Sequence, residues 1–276
     1  MKRTLYSTCI LLLLSPTLFA GLKVARNVSY GPHERNIMDI YWDSSFKNAP
    51  IVFTIHGGGF KVGSKAYCNA DMQQLFLEKG CVVVSPNYRL LKKGTPVTIA
   101  DCEIDCAMAV AHMQAHAEKY GADPKRIVAT GGSAGGYLSA RIAYRKQWSW
   151  PRDAAHKPDK LNIIGWYGDS PGLPPHVIKS VKKGDPPGFM IYAEREHPAT
   201  PARSGHAMQA AMKAKGVWNQ LVYVEKGRHV SGRHVLIHSR KRDKKVHAAF
   251  EQFLDMVCYG KGSPAGGSVI TVVKKD

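Results

Sequence analysis

Short apolar runs alternate along this chain with longer stretches in which apolar residues recur every three or four positions. That alternation predicts a mostly parallel sheet with crossover helices on both faces. Met38 to Trp42 reads as an early strand, Ile51 to Ile55 as a buried one and Cys81 to Ser85 as the next. Between the last two, Met72, Leu75 and Phe76 share a helical face over Asp71 to Lys79, and Gly80 supplies the stop. A long amphipathic helix is predicted from Thr98 to Tyr120. Ile127 to Thr130 is then a short buried strand that runs into Gly131-Gly132-Ser133-Ala134-Gly135-Gly136. Further on come a helix at Tyr137 to Tyr144, strands at Leu161 to Tyr167, Phe189 to Ala193 and Leu221 to Val224, and helices at Ser204 to Lys215 and Val246 to Tyr259. Trp148 to Lys160 and the proline-rich Asp169 to Pro187 read as insertions. No repeat or linker divides the series, so one domain is expected over residues 21–260. The tail, residues 261–276, is either loose or an added edge strand around Val269 to Val273.

Residues 1–20 do not belong to that domain. Lys2 and Arg3 before an apolar run, followed by Ala20-Gly21, have the pattern of a cleaved signal peptide, which implies a secreted or periplasmic protein. The run is interrupted by Ser15-Pro16 and is too short for a spanning anchor, and no later segment suits one. The 276 residues are 44% hydrophobic and 22% charged, which excludes disordered, collagen-like and coiled-coil classes. A formal charge of +18 favours solubility and attraction to anionic surfaces. Lys179, Lys182 and Lys183 form one basic group, and Arg228, Arg233, Arg240, Lys241, Arg242, Lys244 and Lys245 another. They read as solvated faces, with adhesion to anionic polysaccharide or cell envelope as the sharper alternative. No nucleic-acid module accompanies them, so no specific nucleic-acid partner is expected. Without Cys9 five cysteines remain, an odd number, so at least one thiol stays free or pairs between chains. Cys102 with Cys106, and His112 with His116, are spaced i, i+4, but neither pair has further ligands at zinc spacing, and no metal is expected.

A buried strand, then Gly-x-Ser-x-Gly, then a helix sets Ser133 on a sharp turn at the sheet's carboxyl edge, with the next helix's amides favouring negative charge beside it. Taken alone, the loop is equally a glycine-rich turn or a phosphate cradle. A P-loop lacks its Gly-Lys-Ser/Thr here, and a dinucleotide fingerprint belongs after the first strand. A second motif, His56-Gly57-Gly58-Gly59-Phe60, follows another buried strand. Successive glycine amides of this kind can converge on one oxygen, as an acyl-transfer oxyanion requires.

With both motifs present, the chain resembles the alpha/beta-hydrolase superfamily, in its branch of carboxylesterases and hormone-sensitive-lipase-like enzymes. The resemblance runs from about Tyr30 to Leu254 through Met38-Asp39-Ile40-Tyr41, Ile51 to Phe60, Ser85-Pro86-Asn87-Tyr88-Arg89-Leu90, Asp101, Tyr120-Gly121-Ala122-Asp123-Pro124 and Gly131 to Gly136. It implies an alpha/beta-hydrolase fold, Ser133 as nucleophile and an oxyanion hole from the amides of Gly58, Gly59 and Ala134, with His56 orienting that loop. In this fold the acid and base follow the serine in the chain. Ala193-Glu194-Arg195-Glu196 aligns with the acid loop, so the resemblance implies Glu196 as the acid where Asp is commoner, with Glu194 in reserve. Glu225-Lys226-Gly227-Arg228-His229 aligns with the base loop, which implies His229 as the base, with His234 as competitor. No cofactor is implied.

The family usually carries a cap, yet the link from Tyr167 to Phe189 leaves no room for a multi-helix one, so the cap is expected to be short or absent. An open cleft suits short-chain or carbohydrate-linked acyl esters. Trp148, Trp150 and Trp166 are read as packing residues, with sugar stacking as the alternative. The expected activity is a secreted serine carboxylic-ester hydrolase. The alternatives are amide hydrolysis of the arylformamidase type and a non-catalytic basic protein of hydrolase fold that binds anionic glycans.

Overall fold

The structure, a computed structural model, describes residues 21–238, 242–262 and 266–274. The leader read over residues 1–20, and Arg240 and Lys241 of the second basic group, lie outside the described residues. Among the described residues, nine strands form one sheet: β1 (Leu22–Ser29), β2 (Ile37–Asp43), β3 (Ala49–Ile55), β4 (Val82–Pro86), β5 (Ala122–Gly132), β6 (Ile163–Asp169), β7 (Gly188–Arg195), β8 (Asn219–Arg228) and β9 (Val269–Val273). Their order is β1-β2-β4-β3-β5-β6-β7-β8-β9. The β1–β2 and β2–β4 pairs are antiparallel and every other pair is parallel. Strands β3 and β4 are buried along their whole length, which is why they read as unbroken apolar runs rather than alternating ones. Strand β1 carried no such signal. Its residues Leu-Lys-Val-Ala-Arg-Asn-Val-Ser lie mostly exposed at the sheet edge, fixed by Arg26 Nη1 and the Asn27 amide, both donating to the buried Asp39 carboxylate at 2.9 Å.

Helices α1 (Ala70–Glu78), α2 (Ile99–His116), α3 (Ala134–Tyr144), α4 (Pro175–Ile178), α5 (Ala202–Ala214) and α6 (Lys244–Tyr259) connect or flank the strands. The long helix predicted through Tyr120 ends its α-helical part at His116, then tightens into a 3₁₀ turn over Ala117–Tyr120 and stops at Gly121, whose φ of 65° suits a left-handed cap. At its start Thr98 and Asp101 form a reciprocal capping box. One face of the sheet packs against α2, α3 and α5 through residues such as Leu138, Trp166, Met208 and Met212. The other packs against α1 and α6, where the Phe250 ring lies 4.9 Å from Tyr167, 5.1 Å from Phe189 and 6.2 Å from Phe76. Truncating such a ring to alanine costs about 3–5 kcal/mol, so this cluster anchors α6 to the sheet.

Parallel strands bring their carboxyl ends to one edge, and four of those ends carry the motifs. His56 to Phe60 follow β3, Ser133 follows β5, Glu196 follows β7 and His229 follows β8. The link from β6 to β7 contributes only the four-residue α4, so among the described residues the cap is short and the edge stays open. Among the described residues no helix is long and apolar enough to cross a membrane.

Candidate active site

Ser133 holds φ 55° and ψ −119°, a conformation non-glycine residues rarely adopt and one that costs about 1–3 kcal/mol. The turn persists because its surroundings over-determine it. The Ser133 amide donates to the carbonyl of Asp169 at 2.9 Å, and the Ser133 carbonyl accepts from Tyr137 at 3.1 Å as α3 begins. The flanking glycines are required by contact: a Cβ on Gly135 would collide with the carbonyl oxygen of Ile55, and one on Gly57 would sit 2.7 Å from the Gly132 oxygen. Strands β3 and β5 therefore approach closely enough to set the HGGG loop against the serine turn.

The base and acid meet as a pair. Nδ1 of His229 donates to Oε2 of Glu196 at 2.6 Å, with the imidazole partly exposed and the carboxylate buried. Oε1 of Glu196 accepts from the hydroxyl of Ser170 at 2.6 Å and the amide of Ala193 at 2.8 Å, and Oε2 also accepts from the hydroxyl of Thr200 at 3.2 Å. Every acceptor direction of this carboxylate is thus used to hold it still. Committing Nδ1 to the acid leaves Nε2 as the ring nitrogen free for a proton from the nucleophile. The base loop is itself tethered. The His229 amide donates to the Arg195 carbonyl at 3.1 Å, the Val230 amide to Ser170 Oγ at 2.9 Å, and the Gly232 amide to Asp169 Oδ1 at 3.0 Å.

Asp169 closes this arrangement from below. Its backbone oxygen holds the serine turn while its carboxylate holds the base loop, and it is 1% exposed. Burial, reinforced by the nearby charge of Glu196, pushes its carboxyl up to about 7 against the hydrogen bond from Gly232 and the charges of His229 and Arg233.

Ser133, Ala134, Gly58, Gly59 and His229 all line one cleft of about 1240 Å³, walled by Phe60, Tyr67, Ile99, Tyr137, Leu173 and Pro174, with Arg203 and Arg233 also on its lining. Gly58 and Gly59 adopt φ 101° and 59°, backbone that glycine reaches without a Cβ penalty. His56 stacks on Tyr88 at 4.1 Å, with its Nδ1 2.8 Å from the Gly57 oxygen, while the Tyr88 hydroxyl donates to the His56 carbonyl at 3.0 Å. Burial lowers its imidazole to about 4, so at neutral pH it is an uncharged brace for the loop.

The reserve candidates fall elsewhere. Glu194 accepts from the Lys226 amide at 2.6 Å and so ties β7 to β8, and His234 stands exposed on the turn after the base loop, off the cleft lining. The tryptophans do not line the cleft either. Trp166 is fully buried with Nε1 donating to Ser139, and Trp148 stacks on Trp150 at 6.2 Å beneath the Arg145 guanidinium.

The chain is similar to known esterases in sequence and in fold. The BD-FAE family model matches residues 38–169, the stretch holding both glycine motifs. The probable carboxylic ester hydrolase LipM of Mycobacterium tuberculosis is 36% identical over 121 residues, 42% of this chain and 27% of LipM. The structure of a thermophilic esterase from Thermogutta terrifontis, bound to butyrate, superposes with a TM-score of 0.72 at 21% identity, covering 88% of this chain and 97% of that one. A truncated carbohydrate esterase from gut microbiota superposes with a TM-score of 0.66 at 19% identity, covering 84% of this chain and 96% of that one. The chain has the alpha/beta-hydrolase fold. It spans between about a quarter and about half of the length of the curated relatives it matches.

Three residues that hold the site together are not marked by any sequence motif: Asp169, Ser170 and Thr200. Ser170 and Thr200 reach Glu196 across 26 and 4 positions, and Asp169 reaches Gly232 across 63. Only Gly168-Asp169-Ser170 at a strand end hinted at them, since a polar pair that closes an apolar run at the carboxyl edge is placed to face a site.

Proposed function

We propose that the protein is a serine carboxylic-ester hydrolase that works through an acyl-enzyme on Ser133, with Glu196 and His229 as acid and base. The observation that carries this reading is the 2.6 Å contact between Glu196 and His229 behind a cleft that Ser133 enters from a strained turn. His229 Nε2 takes the proton of the Ser133 hydroxyl as its oxygen attacks the ester carbonyl. The carbonyl oxygen, now an anion, accepts from the amides of Gly58, Gly59 and Ala134, each such donor contributing about 3–4 kcal/mol to the transition state. The C–O bond of the ester breaks, the alcohol leaves with the proton from His229, and water repeats the cycle to release the acid and regenerate Ser133.

The preferred substrates are short-chain or carbohydrate-linked acyl esters. An open, largely apolar cleft with a minimal cap supports that preference, as do the butyrate-bound Thermogutta terrifontis esterase and the gut carbohydrate esterase among the fold's neighbours. The basic leader start and apolar run of residues 1–20 support export as the setting. Hydrolysis of p-nitrophenyl acetate, butyrate and octanoate tests the substrate class. The expected order is acetate or butyrate far ahead of octanoate, and a preference for octanoate would replace the short-acyl reading with a lipase-like one. Turnover of formyl-kynurenine in preference to every ester would replace it with amide hydrolysis.

A further inference from the structure

The sequence places His112 and His116 on one face of α2 with no third ligand in view. The fold supplies one. His156, from the segment between α3 and β6, meets them so that one ring nitrogen from each lies within 4.8 Å of the others. His116 Nε2 and His156 Nε2 are 3.2 Å apart, and the rings of His112 and His116 are centred 4.4 Å apart. Zinc with Zn–N bonds of about 2.0–2.1 Å holds tetrahedral nitrogen ligands about 3.3 Å apart, so one edge of a tetrahedron is already in place.

We propose that His112, His116 and His156 form a binding site for a late first-row divalent cation, zinc in particular, with a fourth position open to water. All three ligands are imidazoles and among the described residues no carboxylate joins them, a donor set that suits zinc, copper or nickel and not calcium or magnesium. His116 is exposed and the other two are partly so, which gives the ion a path from solvent. The segment carrying His156 is held before any ion arrives. Gln114 donates to the Lys160 carbonyl at 3.3 Å and accepts from the Asn162 amide at 2.9 Å, and Trp150 Nε1 donates to Pro158 at 3.2 Å.

The position defines the role. Helix α2 leads into the start of β5 and the His156 segment into the start of β6, so the three histidines sit at the amino edge of the sheet, opposite the edge that carries Ser133. The ion therefore clips an insertion to α2 and stabilises the hydrolase without entering its chemistry.

Untagged protein, stripped with EDTA and titrated with zinc chloride in a calorimeter, should bind one ion per chain. Its Tm should rise by about 5–10 °C once zinc exceeds Kd a hundredfold. Copper should bind more tightly, magnesium should leave Tm unmoved, and cobalt should give the visible absorption of a tetrahedral nitrogen site. His156→Ala and, separately, His116→Gln should abolish the zinc-dependent rise while p-nitrophenyl acetate turnover, with or without EDTA, stays within about twofold of the parent. Absence of saturable zinc binding, or binding that both variants leave unchanged, would overturn the site. In that event the 3.2 Å contact is a hydrogen bond between two imidazoles.

Discussion

Replacing Asp169 by asparagine probes how the serine turn and the base loop are joined. The carboxyl is 1% exposed and pushed up to about 7 from an ordinary 3.8, so the folded protein retains a proton that the unfolded chain releases. Between those values the unfolded state binds fewer protons, and stability falls as pH rises. The stability that the neutral carboxyl contributes is complete below about pH 4 and lost once pH has passed about 7. That displacement corresponds to about 4 kcal/mol, of which roughly 2–3 kcal/mol falls between pH 5 and pH 8. In Asp169→Asn nothing titrates at this position and the amide oxygen still accepts from Gly232, so any change of packing adds a constant that does not vary with pH. Urea unfolding of parent and variant at pH 5 and pH 8 isolates the proton. Relative to the parent, the Asp169→Asn midpoint should move upward by about 1 M between the two pH values, for a urea dependence of about 2–3 kcal/mol per molar. A midpoint difference that is the same at both pH values would refute the claim that a buried proton on Asp169 is part of the folded state.

Three further outcomes follow from the site. Glu196→Gln should lower kcat on p-nitrophenyl acetate by about 10³–10⁴-fold with little change in KM, because the wrong tautomer of His229 is then favoured, whereas Glu194→Gln should stay within about threefold. His229→Ala should abolish measurable turnover while His234→Ala retains it, and the reverse result would move the base. Gly135→Ala forces a methyl group into the Ile55 carbonyl oxygen and should destabilise the fold by about 1–3 kcal/mol or more, read as a drop in Tm.

The parts legible in the sequence were those written as local pattern. Buried strands such as β3 and β4 announce themselves as apolar runs, and Gly131 to Gly136 and His56 to Phe60 are compact motifs whose spacing is the geometry. Glu196 and His229 were reached through the family resemblance, and the fold places them 2.6 Å apart. What stayed hidden depends on chain segments far apart in sequence. Asp169 looks like an ordinary strand end until its oxygen meets the Ser133 amide, and Ser170 and Thr200 belong to no motif. The edge strand β1 was missed because exposed polar residues there carry no burial signal. His156 was unreadable because its partners on α2 lie 40 or more positions away.

We infer that Ser133 is the group acylated in turnover, and labelling with paraoxon tests that assignment. The Thermogutta terrifontis esterase that shares this fold is phosphorylated by that reagent. Intact-mass and peptide analysis of this protein should find one phosphoryl adduct per chain, on the peptide bearing Ser133, with p-nitrophenyl acetate turnover lost in step with labelling. Ser133→Ala should take up no adduct and lose about 10⁴-fold or more in kcat/KM. An adduct on another residue, or a Ser133→Ala variant that turns over ester as the parent does, would contradict the account.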